Sequence, residues 1–188
     1  MVFQQQLGSL LDKTQRIVAT AKQLAAAIGA DETITIRAAE LSKCDLVSEM
    51  VLEFPDLQGV AGAHYARHNG EPAAVAEAIE WHYYPRFAGD DLPRSAEATA
   101  VALADRLDTL VGIFGIGQPP TGSKDPFALR RASLAVIRML IDLKAPLSLN
   151  DLVHHACEQH TAELLPDTAT DVSGYILERL GSWYDEGG

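Results

Sequence analysis

Cysteine is scarce in this chain: only Cys44 and Cys157 occur, far apart and in no metal-type spacing. That excludes a disulfide scaffold and a thiolate zinc site, and it fits reduced, structural thiols in a cytosolic protein. Basic charge is short as well, with 15 Lys and Arg against 26 Asp and Glu for a net charge of −11. Such a surface repels polyphosphate at long range, which argues against a free-standing nucleic-acid binder but leaves room for a local basic patch inside a larger assembly. No apolar run approaches the roughly 20 residues of a bilayer span. The start, Met1-Val2-Phe3-Gln4-Gln5-Gln6, has neither the basic flank nor the apolar core of a signal peptide. A soluble, cytoplasmic protein without a membrane partner is expected. Alternating apolar and polar residues never persist long enough to define a strand, and Thr33-Ile34-Thr35-Ile36 sits among strongly helical neighbours. The expected class is all-α.

What the chain does have is apolar residues at helical spacing: 47% are hydrophobic and 22% charged, an ordinary balance for a folded domain of 188 residues. Leu7 to Ile28 reads as a first helix stopped by Gly29, and Asp31 caps a second that runs on to Phe54, with a break point at Ser42–Asp45. Pro55-Asp56 opens a helix to His68, and Glu71-Pro72 opens another to about Tyr84. Ser95 caps a long helix whose end is loosened by Gly112, Gly115 and Gly117. Asp125 as cap and Pro126 at the first helical position launch a helix to about Leu143; Ser148 and then Thr170 or Asp171 open the last two. The helical pattern begins almost at once and the tail reads Trp183-Tyr184-Asp185-Glu186-Gly187-Gly188; from such abrupt ends a piece cut from a longer protein is expected.

His64 and His68 lie four apart, on one face of a helix; His82 follows on the next helix, and Asp105 and Asp108 stand three apart on the long one. Imidazoles and carboxylates from three helices are the raw material of a divalent metal site, while the plainer reading makes His64 and His82 packing residues. The loop Gly115–Lys124 is not a phosphate cradle: it reads Gly-Ser-Lys where a Walker loop needs Gly-Lys-Ser or Gly-Lys-Thr, its prolines remove backbone donors, and it follows a helix. Lys124, Arg130 and Arg131, with Arg138 beyond, form the densest basic cluster; near a helix N-terminus they suit a phosphate or acidic partner, or else balance the local acids. Cys44 has no histidine near it in sequence, and His154, His155 and His160 form no ligand pattern.

Three stretches carry a resemblance. They are Asp45 to Tyr65, DLVSEMVLEFPDLQGVAGAHY, continuing as ARHNGE; His82 to Pro93, HYYPRFAGDDLP; and Ala102 to Arg131, ALADRLDTLVGIFGIGQPPTGSKDPFALRR. In order and spacing they resemble the β subunit of the bacterial two-subunit glycyl-tRNA synthetase, closely from about Phe3 to Ala145 and more loosely to Tyr184. Because such subunits are several times longer, the resemblance implies an interior fragment. It further implies an HD-domain-like helical bundle over 1–145, with a helical extension over 146–188 leading toward the next domain.

By that resemblance the whole enzyme joins glycine to tRNA-Gly with ATP and Mg; the α subunit forms the adenylate, and the β subunit serves tRNA recognition and assembly. The expected partners are therefore the α subunit, the remainder of β and tRNA-Gly, with Lys124, Arg130 and Arg131 as a tRNA or interdomain contact. Active HD relatives hold a metal with histidines and aspartates. Here His68 and Asn69 look like the HD dipeptide, Asp105 like its last aspartate and His82 like an intermediate histidine, with His64 and Asp108 nearby. The leading histidine has no counterpart where Lys43, Cys44 and Asp45 lie, and Asn69 offers a neutral oxygen where a metal prefers a carboxylate. The expectation is a degenerate site with no catalytic residue, no metal and no cofactor in this fragment. The rival expectation is a metal-dependent HD-type phosphohydrolase.

Overall fold

The computed structural model describes residues 1–185. Among the described residues there are nine α-helices: α1 Leu10–Ile28, α2 Glu32–Leu41, α3 Glu49–Glu53, α4 Val60–His68, α5 Ala73–Trp81, α6 Ala96–Gly115, α7 Leu129–Leu143, α8 Leu149–Glu158 and α9 Thr168–Asp185. Two 3₁₀ turns, Cys44–Val47 and Pro55–Leu57, flank α3. The only strands among the described residues are β1 Val2–Gln4 and β2 Gly8–Ser9, a short antiparallel pair ahead of α1. The fold is all-α, as expected.

The helix ends follow from local chemistry. Ser9 and Asp12 form a reciprocal capping box on α1, and Gly29 closes that helix in the left-handed region at φ 71°. The Asp31, Ser48, Ser95 and Ser148 side chains accept from the first turns of α2, α3, α6 and α8. The expected second helix does break at Ser42–Asp45, into a 3₁₀ turn and then α3.

Three expectations need correction. Pro55-Asp56 opens only a 3₁₀ turn; α4 begins at Val60, after Gly59 takes φ 82° and lets the Tyr83 ring approach to where a Cβ would sit 2.6 Å from it. The last stretch before Leu143 becomes helical at Leu129, not at Pro126, because Ala128 adopts φ 55°; the Asp125 carboxylate still accepts from the Leu129 and Arg130 amides, 2.8 and 3.0 Å away. Gly112 and Gly115 do not loosen α6. Gly112 lies inside it and Gly115 is its last residue, and both are places of close approach, where a Cβ would meet Leu7 at 2.7 Å and Leu164 at 2.5 Å.

Helix α6 is the axis of the molecule. It packs on α1, α2, α5, α7, α8 and α9, and Val101, Leu103, Leu107, Leu110, Val111 and Ile113 are fully buried on it. A helix apolar on all sides is stable only when surrounded. Leu152, Val153 and Ala156 of α8 and Val172 and Ile176 of α9 join the same core as the helices before 146. No helix among the described residues is long and apolar enough to cross a membrane. Because Leu107 is wholly enclosed, Leu107→Ala should lower the unfolding free energy by about 2–5 kcal/mol in urea denaturation. Leu11→Ala, on the exposed side of α1, should change it by no more than about 0.5 kcal/mol.

Candidate functional site

The candidate site is built on α6, where Asp105 and Asp108 interrupt an apolar run and turn into the bundle. Two carboxylates in that setting demand cations. Lys13 Nζ, from α1, stands 3.0 Å from both Asp105 Oδ1 and Asp108 Oδ2. Arg16, one turn further on, donates from Nε to Asp108 Oδ1 at 2.6 Å and from its guanidinium to the Leu7 carbonyl at 3.0 Å. His160, after α8, places Nε2 3.2 Å from the same Asp108 oxygen. Asp108 thereby ties together α1, α6 and the segment after α8.

Lys43 completes the arrangement from the broken end of α2. Its ammonium donates to Asp105 Oδ2 at 2.7 Å and to His82 Nε2 at 2.9 Å, and it lies 4.1 Å from the centre of the Tyr83 ring. With Nε2 accepting, the His82 proton is on Nδ1, which donates to the Ile79 carbonyl 2.5 Å away. Burial, then the Lys43 charge, holds the His82 pKa well below its ordinary 6.5. Burial alone would push Asp105 up, but the Lys43 and Lys13 ammonium groups win and hold it well below the ordinary 3.8. Burial again pushes Asp108 up, but the Lys13 charge, the His160 and Arg16 contacts and the Arg16 charge together outweigh it and hold the carboxylate well below the ordinary 3.8. Arg106 closes the floor: its guanidinium donates to the carbonyls of His82, Tyr83, Pro85 and Ala102, and burial lowers its pKa to about 10.

The residues expected to form a degenerate HD-type site divide into two sets. His82, Asp105 and Asp108 meet in this buried network. His64, His68 and Asn69 do not join them, since all three are exposed on α4 or at its C-terminal end. The reason is helical phase: Ala61, Ala63 and Ala66 face the core, which turns His64 and His68 outward. The donor set does not fit a metal ion. Among the described residues no three His, Cys, Asp or Glu side chains stand where they could hold one, and the space between His82 and Asp105 is filled by an ammonium group. The rival expectation of an HD-type metal centre loses its ligands on this geometry.

The cations were missed in the sequence, although a signal was present. Lys13, Arg16, Ile17, Thr20, Ala21 and Leu24 share the buried side of α1, so two basic residues lie on the stripe that periodicity assigns to the core. Opposite an i, i+3 pair of acids inside an apolar helix, they are the partners that burial requires.

Beside Asp105 the surface opens into a groove of about 620 Å³, lined by Tyr83, Tyr84, Arg86, Asp105, Phe127 and Arg131 among others. Arg86 is engaged by Asp90 through its Nε at 2.9 Å. Arg130 turns away to the Gly122 carbonyl, whereas Arg131 and Lys124 are exposed. The basic cluster is therefore split, and only Arg131 of the three lines the groove.

The signs of the pKa shifts set an acid response. Unfolded, His82 would take up a proton near 6.5, and Asp105 and Asp108 near 3.8; folded, all three bind that proton only at lower pH. The unfolded chain thus binds more protons in both windows, so stability falls as pH falls. Urea denaturation between pH 8 and 3 should show a loss beginning as pH drops through 6.5 and a second beginning at 3.8. His82→Gln should remove the first and keep the second.

The family model for the glycyl-tRNA synthetase beta subunit matches residues 1–188. The glycine–tRNA ligase beta subunit of Haemophilus influenzae strain PittEE is 53% identical over 189 residues, and that of Chromohalobacter salexigens 54% over 192; each alignment takes in 100% of this chain and 28% of the relative. The corresponding subunit of Pectobacterium carotovorum is 53% identical, with 27% of its length covered. The chain thus spans a little over a quarter of the curated relatives that it matches.

Proposed function

This chain belongs to the glycyl-tRNA synthetase β-subunit family, and we propose that it is a non-catalytic module of such a subunit, serving tRNA-Gly recognition and subunit assembly in the ATP-dependent glycylation of tRNA. The partners in this reading are tRNA-Gly, the α subunit and the remainder of the β subunit, in the cytoplasm. ATP and Mg act elsewhere in the whole enzyme. The bundle is read as an HD-type scaffold reused for recognition, because a fold carries no chemistry once its site is altered.

The observation that carries the proposal is the Lys43 ammonium between His82 Nε2 and Asp105 Oδ2, 2.9 and 2.7 Å away. A fixed monovalent charge there neutralises the carboxylate and holds α2, α5 and α6 in register. It has no exchangeable coordination position for a water or a phosphate oxygen, which hydrolysis of a phosphoester on such a scaffold requires. The recognition role draws on the groove beside it. Tyr84 and Phe127 offer apolar faces, and exposed Arg131 supplies a guanidinium that can fork onto a phosphate. With the whole chain at −11, a phosphate contact has to be local, and Arg131 and Lys124 are both exposed cations.

The test uses the assembled α/β enzyme. Arg131→Glu in the β subunit should raise the KM for tRNA-Gly about tenfold, the equivalent of 1.4 kcal/mol. It should leave glycine-dependent ATP–pyrophosphate exchange unchanged and flatten the salt dependence of tRNA binding by about one unit of slope. Unaltered tRNA KM and salt slope would remove Arg131 from the interface.

A further inference from the structure

Between the 3₁₀ turn at Cys44 and the start of α4, five large apolar side chains stand in solvent within eleven residues: Val47, Met50, Leu52, Phe54 and Leu57, each 37% to 62% exposed. None of them lines the groove beside Asp105. Isolated exposed leucines are unremarkable, but five exposed apolar side chains concentrated in eleven consecutive residues point to a surface that another surface covers.

The segment is held rigidly. Asp45, itself 2% exposed, receives the Gly59 and Gly62 amides on one carboxylate oxygen at 2.7 and 3.1 Å, clamping the two ends of the excursion together. Ser48 caps α3, and buried Val51 pins it from beneath. The apolar side chains are thus presented outward by a fixed backbone, which lowers the ordering cost of docking. Glu49 and Glu53, both exposed, alternate in sequence with these apolar residues and make no ion pair among the described residues. An apolar surface that also carries acidic groups fits an apolar partner that carries basic ones.

We infer that residues 47–57 are the docking face for another domain of the same β-subunit polypeptide, one presenting apolar side chains edged with Lys or Arg. Two facts select this occupant. The relatives extend well beyond the region this chain matches, which is 28% of their length, so the same polypeptide has ample chain to supply the face. A covalently attached domain also acts at a high effective concentration, and a bare patch on free β subunit would invite aggregation before any other subunit arrived. The inference rests on this chain's place within a longer β subunit; it does not depend on the tRNA contact, and its test does not read tRNA affinity.

The experiment is thiol footprinting of the full-length β subunit carrying Leu52→Cys or Phe54→Cys, with a charged maleimide and quantification of the modified peptide by mass spectrometry. Hydroxyl-radical oxidation of Met50 in the unsubstituted subunit gives the same reading without a substitution, so a misfolded variant does not decide the result. In β subunit alone, with neither α subunit nor tRNA, all three positions should react at least about tenfold more slowly than in the urea-unfolded subunit, as in the dry core of an interface. Reaction as fast as in the unfolded subunit overturns the inference. Protection that arises only on adding the α subunit, or only on adding tRNA, overturns it too, since the occupant is then a different molecule.

Discussion

Two ammonium groups, from Lys13 and Lys43, neutralise the carboxylates that α6 carries into the bundle, and the arrangement of the surrounding helices depends on that neutralisation. Asp105 and Asp108 lie on the most enclosed helix of the molecule. Removing a carboxylate from water costs several kcal/mol unless a partner and further hydrogen bonds replace what water supplied. The replacements come from distant positions in the chain: Lys13 and Arg16 on α1, Lys43 after α2 and His160 after α8. Each of these contacts therefore ties one segment to α6, with a directionality that apolar packing alone lacks.

The same network sets the protonation of the site's buried groups. His82 remains neutral because its Nε2 receives a proton donor from Lys43 and its Nδ1 proton is held by the Ile79 carbonyl. Asp105 remains ionised because two ammonium groups face it. The charges are complementary and saturated, which suits a structural hub better than a site that must exchange ligands. The exposed edge of that hub is the groove where Arg131 stands. Motifs shared with the family have local structural duties: Asp90 of FAGDDLP gathers Arg86 on its carboxylate and Arg138 on its carbonyl, and Asp125 of GSKDPFALRR caps α7.

Much of the fold was legible because helix termini are local problems. Gly29, Asp31, Ser95 and Ser148 act where they stand, on amides or backbone angles within four residues. The start of α7 was misread because Asp125 can reach the Leu129 amide across a turn as well as it could cap a helix starting beside it; a left-handed Ala128 is not something residue type announces. Gly112 and Gly115 were misread because a glycine needed for close packing and one that loosens a helix look alike until the opposing Leu7 and Leu164 are in place. Of the site, His82, Asp105 and Asp108 were identified and belong together. His64 and His68 were grouped with them on spacing, which gives a shared helix face but not the direction in which that face points.

Sequence alone therefore determined the all-α class, most of the helix boundaries and the family, since each rests on residue identity or on spacings of a few residues. Tertiary structure decided what surrounds the buried imidazole and carboxylates. Lys13 and Asp108 are 95 positions apart and Lys43 and Asp105 are 62 apart, and no local rule pairs charges across such distances. Only the packing of α1, α2 and α5 around α6 brings a lysine ammonium to the imidazole and carboxylate, because a buried charge is tolerated where its counter-charge is and nowhere else.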